Sequence, residues 1–114
     1  MTEERASRGR QAMLILSVLA DGPAHGYQIT RRLEERSCGE FRLQEGVLYP
    51  LLHSLEAAGL ADANWEQGSR ARDRKVYSLT PAGRDWLRER VAAWRAEQSA
   101  IERVLVGEVR PCVG

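Results

Sequence analysis

Two cysteines, two histidines, one phenylalanine and four prolines are all that this 114-residue sequence holds of those types. Cys38 and Cys112 are far apart and belong to no pairing framework, which excludes a disulfide-stapled secreted domain and reads as free thiols in a reducing compartment. His25 and His53 are equally scattered, and no two of these four residues sit at a ligand spacing such as C-x-x-C or histidines four apart. A metal site is therefore not expected. No apolar run approaches a membrane span: the longest, Ala12 to Leu16, is broken by Ser17 and later by Asp21. The charged N-terminus lacks the apolar centre of a signal peptide, so the expected location is the cytoplasm, with no membrane partner. No glycine-rich phosphate loop and no nucleophile-with-base motif is present, so neither an enzyme nor a cofactor is expected. Internal repeats and low-complexity tracts are missing too. An excess of one charge sign is lacking as well, since 17 basic residues stand against 16 acidic ones for a net charge of +1.

What is there is ordinary in amount and informative in order. The length suits one domain with a single core, and 43% hydrophobic with 29% charged residues is usual for a soluble globular chain. The richest segment runs from Glu45 to Leu60. Val47, Leu48, Leu51, Leu52 and Leu55 recur at helical spacing and make one wide apolar face. Glu45, Tyr49, Pro50, His53 and Ser54 occupy the other side, a poor core but a good contact surface. Pro50 is placed in the first turn, where a missing amide hydrogen costs little, and Gly59 suits a left-handed C-terminal stop.

Two strand-like stretches follow, Asn64-Trp65-Glu66 and Lys75-Val76-Tyr77-Ser78-Leu79. The polar loop between them, from Gln67 to Arg74, carries glycine and three arginines. Helix followed by a basic-tipped hairpin is the order of a winged helix, in which the helix enters the DNA major groove and the hairpin tip reaches the backbone or minor groove. Charge alone is indecisive. Arg70, Arg72, Arg74 and Lys75 against Asp73 give the hairpin a net +3, and Arg5, Arg8 and Arg10 form a second cluster beside Glu3 and Glu4. Such arginines could equally solvate a loop; their position after a recognition-type helix favours contact with DNA.

Upstream, residues from about Arg8 to Ala20 form an apolar helix ended by Asp21-Gly22-Pro23. A second helix runs from about Gly26 to Arg36, with Tyr27, Ile29, Thr30 and Leu33 partly inward, and Gly39 breaks it. Phe41-Arg42-Leu43 is expected to add a short strand beside the wing. Tyr27 and Tyr49 are ambiguous between packing and contact. Tyr49, off the leucine face, is the better candidate for a hydroxyl on a phosphate.

The last helix starts at Thr80-Pro81, a capping side chain followed by proline at the first helical position, and runs to about Val106 before Gly107. Leu87, Val91, Trp94, Gln98, Ile101 and Leu105 alternate spacings of four and three, a heptad seam with one polar member. At about 38 Å for a helix of ~25 residues, it exceeds what one winged-helix body needs to cover. Ala82, Trp86 and Val91 are expected to pack back in part.

The blocks Gly22-Pro23-Ala24-His25-Gly26-Tyr27-Gln28-Ile29, Glu45 to Leu52, Leu55-Glu56-Ala57-Ala58-Gly59-Leu60 and Arg74 to Gly83 together resemble the PadR family of bacterial transcriptional regulators, in the short form with a single C-terminal helix. They span most of residues 12 to 105, and their order and spacing are specific where any one alone is weak. At Val47, where a small hydroxyl residue often caps the recognition helix, this chain departs and leaves the cap to Gln44 or to solvent. The resemblance implies that the last helix dimerises, with Gln98 helping to fix register. Some relatives hold a planar aromatic effector at the dimer interface. Trp94 thus has two readings: it fills the interface, or it stacks such an effector beside Gln98.

The expected fold is mainly α with a small β-hairpin: a winged helix-turn-helix domain over residues 1–80, a dimerisation helix over 81–107 and a tail over 108–114. The expected function is a dimeric transcriptional repressor on an inverted-repeat operator in double-stranded DNA. Its DNA contacts are expected at Gln44, Glu45, Gly46, Tyr49, Pro50, His53, Ser54, Arg70, Arg72, Arg74 and Lys75. A winged-helix protein-interaction adaptor without sequence-specific DNA binding is the alternative, and a steep salt dependence of duplex binding would separate the two.

Overall fold

The computed structural model describes residues 3–66 and 74–106, with side chains described from Arg8 onward. In chain order the elements are α1 (Glu3–Leu19), β1 (Ala24–His25), α2 (Gly26–Arg36), α3 (Glu45–Ala57), β2 (Ala61–Glu66), β3 (Arg74–Leu79) and α4 (Pro81–Val106). The helix expected from Arg8 begins five residues earlier, at Glu3. Ile15, Leu16, Val18 and Leu19 are all buried with Ala12 and Met13. Apolar positions thus cover most of the circumference of α1, so it is the central strut rather than a surface helix.

α2 matches its expected bounds. His25 stands at its N-cap in a reciprocal capping box: the Gln28 amide donates to His25 Nδ1 at 3.4 Å, and the His25 amide donates to Gln28 Oε1 at 3.1 Å. Ile29 and Leu33, with Gly26, are buried, and Thr30 is half-buried as expected. Tyr27, expected to be partly inward, is 64% exposed; two residues before Ile29 it lies about 200° round the helix from the buried stripe. After Arg36 the chain turns through two left-handed residues, Cys38 (φ 53°) and the expected Gly39 (φ 83°).

The strand expected at Phe41-Arg42-Leu43 is not formed. The Phe41 amide is tied back to Ser37 Oγ at 3.0 Å instead. The third strand is β1, which the sequence reading missed. It pairs antiparallel with β3, Ala24 opposite Tyr77 and His25 opposite Val76, in a sheet ordered β1-β3-β2. Tyr77 and Ala24 are buried where this sheet meets the helices.

In α3, Leu48, Leu52 and Leu55 are buried at i, i+4, i+7, and Leu51 is half-buried. Val47, placed on the apolar face from sequence, is 41% exposed, since it lies one residue, about 100°, off that stripe. Pro50 occupies the sixth helical position, not the first turn. Its missing N–H leaves the Gly46 carbonyl without a helical donor, and both residues are exposed, so water can supply one. Gly59 ends the segment with φ 76°.

Thr80 fixes the start of α4 by two bonds: its hydroxyl donates to the Gly59 carbonyl at 2.7 Å and accepts the Gly83 amide at 2.9 Å. Gly83 is buried, and a β-carbon there would run into the Leu60 carbonyl. Trp86 and Leu87 then pack against the core, and the Arg90 guanidinium crosses over Gly9 of α1. Beyond this the helix leaves the body. Its 26 residues, about 39 Å of helix, account for a molecule 61 Å long and about 28 Å across.

Candidate nucleic-acid interface

α3 divides into a buried side and a presented side. Glu45, Gly46, Tyr49, Pro50, His53 and Ser54 are all exposed, and Gln44 precedes them as N-cap with no side-chain cap bond, so the cap is left to solvent. Ser54 is internally satisfied, its hydroxyl donating to the Pro50 carbonyl at 3.1 Å. Tyr49 lies across Gly26, whose missing β-carbon makes the room: one built there would stand 2.5 Å from the hydroxyl and 3.0 Å from Cζ. The recognition-type helix therefore touches the first residue of α2, as a helix-turn-helix pair requires.

The wing brings its cations to the same side. Arg74, exposed at the start of β3, has its guanidinium 3.4 Å from His25 Nε2. Lys75 is half-buried and committed elsewhere: it pairs with Glu56 of α3 at 3.2 Å and sits over the rings of Tyr77 and Trp65, at 5.5 and 6.0 Å. The hydrogen bond to Glu56 raises its pKa, so it stays charged while tying the wing to α3. Burial raises the pKa of the Tyr77 hydroxyl beside it. Arg70 and Arg72 lie outside the described residues. Tyr27 adds an exposed ring, stacked at 6.4 Å from the His25 imidazole and covered by the Arg31 guanidinium at 5.8 Å. An open cleft of about 600 Å³ lies between α2, α3 and β3, walled by His25, Tyr27, Gln28, Tyr49, Arg74 and Lys75. The sequence reading did not include His25, Tyr27 or Gln28 in the site. The signal for the cap was present: a polar residue three positions before Gln28, one residue past a Gly-Pro break.

The α4 residues fall into two groups. Leu87 and Val91 are half-buried, Leu87 against its own domain's core. Trp94, Gln98, Ile101 and Leu105 are exposed, Leu105 by 77%. Trp94 and Gln98 do share a groove, of about 280 Å³, with Arg10 and Met13 of α1 and with Arg90 and Glu97. Among the described residues no group of three or more His, Cys, Asp or Glu side chains could hold a metal, and no helix is long and apolar enough to cross a membrane.

Comparison with known proteins agrees with this geometry. The sequence model of the transcriptional regulator PadR-like family matches residues 15–89, from α1 through the wing into α4. The chain belongs to the PadR-like family. PadR-like proteins are transcriptional regulators that bind DNA, not an enzyme family. A transcriptional regulator of Mycobacterium tuberculosis is 41% identical over 75 residues, which cover 66% of each chain. A Streptomyces fradiae transposon protein is 40% identical over 98 residues, 85% of this chain and 27% of that longer protein. Among solved structures, a PadR family regulator from Eggerthella lenta superposes with a TM-score of 0.76 at 33% identity, over 89% of this chain and 86% of its own. One from Clostridium difficile gives 0.71 at 30%, over 82% and 96%.

Proposed function

We propose that this PadR-like regulator is a dimeric repressor that occupies an inverted-repeat operator, reading base edges with α3 and holding the backbone with its wing. One observation carries the reading. α3 buries Leu48, Leu52 and Leu55 while Glu45, Tyr49 and His53 stand exposed, and Tyr49 lines the cleft shared with the wing strand β3. A helix of this kind fits the major groove, and the wing cations Arg70, Arg72 and Arg74 then fall on flanking phosphates. Lys75 supports them by holding the wing to α3.

The dimer follows from α4. Trp94, Ile101 and Leu105 are large apolar side chains left in water on a helix that projects from its own body, and a second α4 packed along that seam would cover them. Leu87 and Val91 anchor the root of the helix, and Gln98 sets register. The Trp94–Gln98 groove would admit a planar aromatic effector whose binding shifts the spacing of the two recognition helices, releasing the operator. Selection of bound sequences from random duplex DNA with the purified protein tests the proposal. Recovery of an inverted repeat is expected; recovery of no enriched sequence, with only weak salt-insensitive binding, would favour the protein-interaction adaptor.

A further inference from the structure

The cleft between α2, α3 and β3 gathers hydrogen-bond donors from three elements, and its one side-chain amide oxygen, Gln28 Oε1, already accepts the His25 amide. The capping bond from the Gln28 amide uses the lone pair of His25 Nδ1, and the neutral tautomer that satisfies this cap carries its proton on Nε2. That Nε2–H faces the Arg74 guanidinium at 3.4 Å, and a guanidinium has only donors to offer. Two donors therefore point at one gap. The Tyr49 hydroxyl, over Gly26 on the same wall, has no hydrogen-bond partner among the described residues. Arg74 likewise has no ion pair among them. Glu66 stands opposite Arg74 in the β2–β3 register and is, among the described residues, the one carboxylate acting on the imidazole, against the positive fields of Arg74 and Arg32.

We infer that His25 and Arg74 together seat one backbone phosphate of the bound DNA, with the Tyr49 hydroxyl as a third donor. An oxyanion seated beside the pair, on its cleft side, would accept from both donors at once. It would also fix α2, α3 and the wing, the three elements lining the cleft, on the same strand. The inference rests on the DNA-binding reading above and adds to it a residue of α2's cap that serves as both fold and contact. His25 is thus a positioning residue through its Nδ1 cap and a phosphate contact through Nε2–H.

The two roles can be separated in the full chain. His25→Asn keeps an oxygen for the Gln28 amide, since asparagine is among the best N-caps, and removes the Nε2–H. It should leave the melting temperature unchanged and weaken the selected operator and a random duplex alike, by about tenfold or more. The log–log salt slope should not move, because a neutral imidazole releases no counterion, whereas Arg74→Ala should flatten it by up to about two units per dimer. The double variant should lose less than the sum of the two, as expected for groups on one phosphate. Tyr49→Phe supplies a second change that cannot unfold the cap. In nitrogen-resolved NMR the His25 ring signals should shift on adding operator and stay put on adding inorganic phosphate at equal ionic strength. Wild-type affinity of His25→Asn for both duplexes, with ring signals unmoved by DNA, would overturn the assignment while leaving DNA binding intact. Saturation of the ring shift by sub-millimolar inorganic phosphate, with none from DNA, would overturn it in favour of a free anion. A wild-type protein that binds no duplex at all would overturn the broader reading with it.

Discussion

Gly83 gives the most direct handle on how α4 is joined to the DNA-binding body. A β-carbon at this position would collide with the Leu60 carbonyl and stand 2.9 Å from Leu79 Cδ1. The carbonyl is backbone and is itself held by the Thr80 amide at 3.2 Å, so it cannot swing aside as a side chain would. Gly83→Ala therefore forces the first turn of α4 away from the β2–β3 hairpin. Overpacking of this sort costs about 1–3 kcal/mol, with the upper half expected where the obstacle is main chain. The gain in helix propensity of alanine over glycine returns about 1 kcal/mol. A net loss of about 1–2 kcal/mol remains, or a fall in melting temperature of roughly 5–15 °C for a domain of this size. Gly46→Ala is the control. It too lies in a helix, but nothing stands within 4 Å of its added carbon, so it should be neutral or slightly stabilising. Calorimetric melting of the three proteins decides the matter. A Gly83→Ala variant as stable as Gly46→Ala would show that α4 is not pinned against Leu60, and the fixed geometry between the recognition surface and the projecting helix would be lost from the account.

Trp94→Glu or Leu105→Glu should weaken self-association by placing an unpaired charge in the α4 seam; sedimentation equilibrium measures this, and a wild-type chain that stays monomeric at tens of micromolar, ~100-fold above a tight dimer's dissociation constant, would remove the seam. His53→Ala should alter base preference at the operator, whereas Arg74→Ala should weaken specific and random duplexes about equally; an equal loss on all sequences from His53→Ala would argue against base readout there. Burial first, and then the nearby Arg74 charge, hold the His25 pKa below its ordinary 6.5. The folded chain thus binds this proton less readily than the unfolded chain, and the stability that His25 confers is complete above pH 6.5 and declines as pH falls through its lower folded value. Thermal melts from pH 7.5 to 5 should show a steeper acid-side decline for wild type than for His25→Asn, and identical profiles would contradict the cap as the titrating element.

The elements with strong periodicity were legible in the sequence. α2 and α3 fall where spacing and stop signals put them, because Ile29 with Leu33, and Leu48 with Leu52 and Leu55, carry the burial that defines each helix. The second hairpin strand and the start of α4 at Thr80-Pro81 were equally plain, whereas β2, expected over Asn64 to Glu66, begins three residues earlier at Ala61. What escaped was tertiary. A two-residue strand such as Ala24–His25 has no period to detect, and it exists only because β3 lies beside it. Phe41 to Leu43 has strand-like composition but finds its partner in Ser37 at the end of α2. Within the site, the presented face of α3 followed from the helix period. The commitment of Lys75 to Glu56 and the approach of Arg74 to His25 join residues 19 and 49 positions apart, beyond the reach of any local pattern.

The measurement that bears most directly on a symmetric dimer reading DNA through α3 and the wing is an anisotropy titration of the selected operator, and of its isolated half-site, over a series of salt concentrations. The account predicts two protomers per inverted repeat with half-sites about one or two helical turns apart. It also predicts a log–log salt slope of about −4 to −7, from roughly 4–8 phosphates neutralised per dimer, and much weaker binding to the half-site. A lone half-site bound as tightly as the full repeat, or affinity indifferent to salt, would contradict it.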